Sequence, residues 1–291
     1  MAIDLQLAFD APPPKLDFIW SGFLSGTVGA LIAPGATGKS FWALQAAMSV
    51  ACASCENEAA VGGDLLGISP YRGGKVIYLA GEDPVDALMN RVHLLGKYLP
   101  EAARSRIAKN LVLESILGSR LNLMDEATLD RSVELWHGAR LIVLDTLSRI
   151  HCCDENSNGE MARLISTLEF IASSTGASVL FLHHVSKGST RDGLADKQLA
   201  ARGASALIDN SRWCGFMAKM SEQEAGRLCE LNNRLPIGES RRGNFVRFGV
   251  CKQNYEASSP DCWYTRHEAG VLMPVNLSVW RESVGRKRSY A

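Results

Sequence analysis

One short segment constrains the fold of this chain more than any other. It is a glycine-rich turn made of Ala33, Pro34, Gly35, Ala36, Thr37, Gly38, Lys39 and Ser40. The apolar residues 29–32 before it predict a short buried strand, and residues 41–48 after it predict a helix. A strand that enters such a turn and opens a helix aims backbone N–H groups and the positive end of the helix dipole at one point. The pattern therefore predicts a phosphate-binding loop.

The positions of this loop have separate predicted roles. Gly35 and Gly38 let the backbone approach the phosphates of a nucleotide. Lys39 is expected to reach the β- and γ-phosphates, and the Ser40 hydroxyl to hold Mg²⁺. The strict pattern begins with Gly where this chain has Ala33. We regard that departure as mild because the strand, the loop, the Lys-Ser pair and the helix all occur in the expected order; the alternative is a glycine-rich turn with a chance Lys-Ser pair.

The composition bounds the class of protein. Of 291 residues, 46% are hydrophobic, which is ample for a large core, and the formal net charge is zero. Because no global field attracts nucleic acid, any such binding has to come from a local patch or from assembly. We find no signal segment and no apolar run long enough to span a bilayer, so we expect a soluble, cytoplasmic protein without a membrane partner. The pair Cys52 and Cys55 has ligand-like spacing, but no second pair completes a zinc site, and reduced thiols are the better interpretation.

The order of apolar segments predicts an α/β fold. Residues 75–80, 141–144 and 178–182 are nearly continuous apolar runs, which are typical of strands in a parallel sheet that is covered on both faces. Helical patterns separate them at about 85–98, 126–136 and 161–175, so we expect a doubly wound domain. Later segments at 245–252, 263–267 and 270–275 predict added strands, the last two as a hairpin.

We divide the chain into three parts. Residues 1–20 contain Pro12-Pro13-Pro14 and are expected to form an extended N-terminal arm, which Phe18, Ile19 and Trp20 dock on the core or on a neighbouring subunit. Residues 21–280 form one mostly parallel α/β domain with antiparallel strands toward the C-terminus. Residues 281–291 form a basic tail.

Two acidic residues follow predicted strands of this sheet. Asp145 ends the run 141–144, and a carboxylate at that position of a parallel strand is placed to bind Mg²⁺ beside the phosphate loop. Glu82 follows the run 75–80 and is placed to activate water for attack on the γ-phosphate. The alternative for Glu82-Asp83 is a helix cap before Pro84, and both roles can hold at once, with Asp83 as the cap.

Further polar residues have less specific patterns. His183 and His184 end the run 178–182, where one of them could sense the γ-phosphate; ordinary strand-end histidines are the equal alternative. The loop that follows is glycine-rich and basic, which is typical either of a solvated loop or of a nucleic-acid contact. Its candidate contacts are Lys187, Arg191, Lys197 and Arg202.

Two late cations have an intersubunit alternative. Arg212 and Lys252 are either surface charges and internal ion-pair partners or residues that project into the nucleotide site of a neighbouring subunit.

The order of these motifs resembles one family. The phosphate loop, Gly81-Glu82-Asp83-Pro84, Leu144-Asp145-Thr146, Phe181-Leu182-His183-His184 and the segments around Arg212 and Lys252 together resemble the RepA-type hexameric replicative DNA helicases of broad-host-range plasmids. These are RecA-like ATPases. The resemblance extends from about Phe18 to Trp280.

This resemblance implies ATP and Mg²⁺ as ligands, with Glu82 as the catalytic base and Asp145 as the magnesium-binding acid. It implies that His183 or His184 senses the γ-phosphate and that Arg212 reaches the neighbouring subunit. Lys252 matches the lysine of a Lys-x-Arg finger in related rings, but Asn254 replaces the arginine, which leaves Lys252 less certain.

The same resemblance implies a hexameric ring that moves along single-stranded DNA in a central channel, with a replication initiator and a primase as partners. Two alternatives stay open. One is another RecA-like ATPase stimulated by single-stranded DNA, such as a recombination or repair motor. The other is a nucleotide-gated regulatory DNA-binding protein with negligible turnover.

Overall fold

A computed structural model describes residues 2–54, 60–185, 205–231, 233, 235–256 and 260–280. The strands of these residues are β1 (Phe18–Trp20), β2 (Phe23–Leu24), β3 (Val28–Ala33), β4 (Val76–Ala80), β5 (Leu111–Ser115), β6 (Leu141–Asp145), β7 (Ser178–His184), β8 (Trp213–Lys219), β9 (Leu228–Glu230), β10 (Phe245–Gln253), β11 (Cys262–Arg266), β12 (Leu272–Val275) and β13 (Leu277–Val279). The α-helices are α1 (Leu5–Asp10), α2 (Lys39–Cys52), α3 (Val85–Gly96), α4 (Glu101–Asn110), α5 (Glu126–Trp136), α6 (Asn158–Thr175), α7 (Ser205–Asn210), α8 (Glu222–Arg227) and α9 (Glu239–Arg242). Short 3₁₀ turns lie at Leu147–Arg149 and Glu268–Gly270.

A nine-stranded mixed sheet forms the centre, in the order β12-β11-β10-β8-β3-β7-β6-β4-β5. Strands β8, β3, β7, β6, β4 and β5 pair in parallel. Strands β10, β11 and β12 extend the sheet beyond β8 by antiparallel pairing. The predicted parallel sheet with antiparallel strands toward the C-terminus is therefore confirmed.

The central strands are buried on both faces, which explains their continuous apolar runs. Along β4, Val76 and Tyr78 face a core with α2 and α4, whereas Ile77 and Leu79 face a second core with α5 and α6. Since successive side chains of a strand point to opposite faces, a strand between two helical layers has to be apolar at every position.

The hairpin β1–β2 closes one end of the first core with aromatic side chains. Trp20 meets Trp42 of α2 edge-on at 6.0 Å between ring centroids, and Phe23 stacks on Trp213 of β8 at 5.3 Å. Gly29 permits this approach, because a Cβ there would lie 2.9 Å from the Phe23 ring. Between the two docking sites that the sequence left open for Phe18–Trp20, the structure shows their own core, where all three are buried.

Three elements differ from the sequence expectation. Helix α1 precedes the proline run where we expected extended chain; Asp4 caps it by accepting a hydrogen bond from Leu7 N, and none of its residues is buried. Helix α4 and strand β5 were not predicted. Strand β5 is an edge strand that alternates between half-buried and exposed residues, so it lacks the continuous apolar run of its neighbours.

A buried arginine fastens the start of the chain to the sheet. Arg140 precedes β6 and donates from Nη1 to Asp17 Oδ2 at 2.5 Å and from Nη2 to Asp17 Oδ1 at 2.8 Å. It also donates to Ser25 Oγ and to the Phe18 carbonyl. Burial raises the pKa of Asp17, but the hydrogen bond and charge of Arg140 outweigh it and hold that pKa below its usual value.

Replacing Asp17 by Asn should lower the free energy of unfolding by about 1 kcal/mol at pH 7, because the partly exposed carboxylate is screened by solvent. A carboxyl group with a depressed pKa stabilises the fold above its unfolded pKa and loses that effect as the proton binds. The difference between wild type and Asp17→Asn should therefore shrink below about pH 4. Urea unfolding against pH measures it, with the exposed Asp130→Asn as the control; a difference independent of pH would contradict this account.

Candidate functional site

The phosphate loop joins β3 to α2 at the carboxyl edge of the parallel strands. Thr37 Oγ1 donates to the Pro34 carbonyl at 2.7 Å and closes the turn. Ala36 (φ 57°) and Gly38 (φ 98°) both have left-handed backbone conformations. Gly38 precedes α2 without a side-chain cap, so the first N–H groups of this helix remain open for a ligand.

Lys39 places a buried cation in this loop. Its side chain is 4% exposed, and Nζ has no hydrogen-bond partner within the part of the chain that the structure describes. Burial lowers the pKa of Lys39 to about 8, against the opposing charges of Asp145 and Glu82. A buried ammonium without a hydrogen-bond acceptor is costly, and a phosphate oxygen would supply one. The loop therefore fits a phosphate ligand.

Asp145 and Ser40 meet beside the loop. Ser40 Oγ donates to Asp145 Oδ1 at 3.1 Å, and Tyr78 Oη donates to Asp145 Oδ2 at 2.6 Å. Burial raises the pKa of the Asp145 carboxyl, and the two hydrogen bonds oppose that rise. Tyr78 also reaches the Ser40 carbonyl at 3.3 Å, so it links the strand β4 to both partners. A hydroxyl and a carboxylate at this spacing are the oxygen ligands that Mg²⁺ prefers.

Glu82 lies after β4 at the same edge of the sheet. Thr146 Oγ1 donates to Glu82 Oε1 at 3.3 Å, and His184 Nε2 lies 3.8 Å from Glu82 Oε2. The Glu82 side chain is 38% exposed, so water can reach its carboxylate.

The two histidines of β7 differ in environment. His183 is buried beside Ile32 of β3, and burial, followed by the charge of Lys39, lowers its pKa to about 4. It is therefore neutral at pH 7. His184 is exposed at the strand end and contacts Glu82. Of the two predicted γ-phosphate sensors, only His184 reaches the predicted catalytic base.

Arg212 and Lys252 lie at the opposite edge of the sheet from their own phosphate loop. Arg212 is exposed, and its backbone N–H donates to the carbonyl of Val28, the first residue of β3. Lys252 pairs with Cys214 at the start of β8, and its Nζ donates to the last carbonyls of α7, those of Ile208 and Asp209. Neither residue can contact the nucleotide of its own protomer from this edge.

Several sequence expectations have other outcomes. The candidate DNA contacts Lys187, Arg191, Lys197 and Arg202 lie outside the described residues, as does Cys55. Asp83 does not cap α3; its carboxylate binds Arg91 in a bidentate ion pair at 2.5 and 2.9 Å. Within the described residues no cluster of His, Cys, Asp or Glu side chains suits a metal, and no helix is long and apolar enough to cross a membrane.

Sequence reasoning missed three residues of the site. Tyr78 looks like an ordinary core aromatic within an apolar run, and Thr146 stands out only as part of the Leu-Asp-Thr motif. Arg266, on β11, donates from Nη2 to the Thr37 carbonyl of the phosphate loop. No signal in the sequence could have found Arg266, because β11 follows the loop by more than two hundred residues and only the sheet brings them together.

Comparison with known proteins identifies this fold. A family model described as an AAA domain matches residues 3–190. A DnaB-like replicative helicase, solved with its interactions with primase, superposes with a TM-score of 0.61 at 13% identity, over 94% of this chain and 68% of that one. The RadB recombinase gives 0.51 at 13% identity, over 84% of this chain and 90% of that one. A further solved ATPase domain gives 0.56 at 11% identity, over 90% and 92%. These likenesses show a RecA-like P-loop ATPase fold.

Replacing Lys39 by Met should raise the free energy of unfolding of the nucleotide-free protein by about 1–3 kcal/mol, because it removes a buried charge without an acceptor. The same substitution should abolish nucleotide binding. Urea unfolding without nucleotide and titration with a fluorescent nucleotide measure the two effects. Lys97→Met, at an exposed lysine paired with Glu268, is the control and should change stability by less than about 0.5 kcal/mol. A less stable Lys39→Met protein would contradict the assignment of an unpartnered charge.

Proposed function

Since this chain belongs to the AAA domain family, we propose that it is a ring-forming ATP-dependent DNA helicase of the RepA type. It would hydrolyse ATP between subunits, translocate on single-stranded DNA and unwind duplex during replication. One observation carries the proposal: Lys39, the Ser40–Asp145 pair and Glu82 come from three different strand ends and converge at one edge of the sheet. That set contains a phosphate-binding cation, a magnesium-binding pair and a water-activating base, which are the parts that phosphoryl transfer to water requires.

Nucleotide binding is the first step. The loop from Pro34 to Ser40 would surround the phosphates with backbone N–H groups, and Lys39 would donate its unused hydrogen bonds to the β- and γ-phosphates. Ser40 and Asp145 would hold Mg²⁺, which neutralises charge on the phosphates when bound. Because Asp145 Oδ2 already accepts from Tyr78, the other oxygen faces Ser40, and this hydrogen bond fixes the orientation of the carboxylate.

Hydrolysis needs a base that can reach both water and the γ-phosphate. Glu82 is half-exposed, and its carboxylate is oriented by Thr146, the residue that follows Asp145. It would take a proton from the attacking water. His184 contacts the other Glu82 oxygen, so loss of the γ-phosphate at this point would be transmitted to β7 and to the chain that follows it.

Assembly would complete the site. Arg212 is exposed at the sheet edge opposite the phosphate loop, as a residue that serves a neighbouring subunit must be. In a ring, this edge of one protomer would face the loop of the next, and Arg212 would stabilise charge in the transition state. Lys252 lies at the same edge but donates to the end of α7, so we give it a supporting role at that edge.

DNA would bind in the channel of the ring. Its contacts would be Lys187, Arg191, Lys197 and Arg202, repeated in each subunit; six copies would create a positive channel although the chain is neutral. A replication initiator and a primase are the partners that this role implies. The DnaB-like helicase among the similar structures was solved with its interactions with primase.

Steady-state ATP hydrolysis, measured at several protein concentrations with and without single-stranded DNA, tests this function. We expect stimulation by DNA and a steep dependence on protein concentration. Glu82→Gln should bind ATP normally and lose turnover by at least about a hundredfold. Arg212→Ala should lose turnover to a similar extent, whereas the matched control Arg242→Ala, another exposed arginine, should not. Turnover by a stable monomer that ignores DNA would exclude the ring helicase.

Replacing Tyr78 by Phe should raise the Mg²⁺ concentration for half-maximal hydrolysis by about tenfold, because the orienting hydrogen bond to Asp145 is lost while the ring remains. The Mg²⁺ dependence of turnover at saturating ATP measures it. Tyr264→Phe is the matched control, since it also removes a buried hydroxyl, which donates to the Leu66 carbonyl at 3.1 Å. Both variants should lose similar stability, and only Tyr78→Phe should change the Mg²⁺ dependence; equal Mg²⁺ curves would show that Asp145 needs no such support.

A further inference from the structure

Arg266 contacts the phosphate loop from within the same protomer. It is the last residue of β11, and its Nη2 donates to the Thr37 carbonyl. The guanidinium also covers the next residue: a Cβ on Gly38 would lie 3.1 Å from Arg266 Nη1. A cation thus lies against the two residues that lead directly into Lys39.

This guanidinium has no carboxylate partner among the described residues, which sets it apart from the other buried arginines. Arg140 binds Asp17, Arg91 binds Asp83, and Arg247 binds Glu224 at 3.0 Å. Arg266 is half-buried, and the single hydrogen bond of its side chain to described residues is the one to Thr37. Burial lowers its pKa, but a guanidinium remains charged in proteins. A half-buried charge with spare donors is costly unless an anion joins it.

The position of Arg266 is fixed by buried contacts and does not depend on a flexible loop. Gln45 of α2 donates to the Leu272 carbonyl at 2.8 Å and accepts from Leu272 N at 2.9 Å, which locks β12 to the helix. Leu272 pairs with Arg266 across the hairpin β11–β12. The helix that begins at the phosphate loop therefore holds the strand that carries the arginine, and the guanidinium is ready before a ligand binds.

The sheet order indicates which phosphates it would meet. Asp145 and Glu82 come from β6 and β4, on one side of β3, whereas β11 lies on the other side of β3. The hydrolytic carboxylates mark the γ-phosphate end of the site. Arg266 approaches from the opposite side, toward the part of the nucleotide that ADP and ATP share.

We propose that Arg266 is a nucleotide-binding residue that acts in its own protomer: it supports the loop at Thr37 and donates its remaining N–H groups to the phosphates that ADP and ATP share. This inference rests on the nucleotide-binding part of the proposed function and not on ring formation or DNA. Arginine suits the task because its planar fork can serve a carbonyl and a phosphate at once.

Equilibrium binding of ATP, ADP and adenosine to wild type and to Arg266→Met tests the proposal. Met retains the apolar stem and removes the charge and the donors. We expect the dissociation constants of ATP and ADP to rise together, each by about ten- to a hundredfold, which is the usual effect of a hydrogen bond to a charged group. Binding of adenosine should not change. Arg266→Lys should recover part of the loss, since it restores the charge without the fork.

The controls separate the outcomes. Arg242→Ala, an exposed arginine remote from the loop, should bind all three ligands like wild type. The melting temperature without nucleotide should not fall in Arg266→Met, because an unpartnered charge is removed. A lower melting temperature with equal losses for adenosine and ADP would show a structural role and overturn the proposal, as would unchanged ADP binding. If wild type itself binds neither ATP nor ADP, the proposed ATPase function fails; if wild type binds both and Arg266→Met binds them equally well, this inference alone fails.

Discussion

The parallel pairing of β3 with its neighbours is the constraint on which the rest of the structure depends. Because β3, β4, β6 and β7 run in one direction, the residues that follow them meet at one edge of the sheet. The phosphate loop, Glu82, Asp145 and His184 are far apart in the chain and adjacent in space for this reason alone. A change that tilted or shifted one strand would separate the loop from its acids.

Burial of charge distinguishes the site from the scaffold. The arginines that hold the fold together are each paired with a carboxylate, as in the Arg140–Asp17 and Arg91–Asp83 ion pairs. Around the loop, Lys39 and Arg266 are buried or half-buried cations without a carboxylate at ion-pair distance among the described residues. Such charges destabilise a protein without its ligand and strengthen the binding of an anion. The nucleotide site is thus the place where this fold gives up stability for function.

The two edges of the sheet separate the tasks of one protomer. The carboxyl edge holds the loop, the magnesium-binding pair and the base, and the opposite edge presents Arg212 beside the start of β3. A single protomer cannot bring these edges together, since β3 itself spans the distance between them. In our proposal, a neighbouring protomer does so, which makes hydrolysis a property of the assembly. Helix α1 leaves its residues unburied at the surface of the protomer.

The sequence by itself determined the phosphate loop, the buried strands and the helices next to them. Residues 126–136 form the predicted helix, and the run 141–144 forms a strand that ends at Asp145 as expected. These features depend on local patterns: glycine spacing, apolar runs and helix formers. Strand β5 and helix α4 escaped prediction because an edge strand with half-buried residues has no such pattern. Only the tertiary structure decided that the Tyr78 hydroxyl orients Asp145, that Asp83 binds Arg91, and that Arg266 lies on the loop. Those contacts depend on which strands become neighbours, and that choice is made by packing of the whole core, not by any short segment.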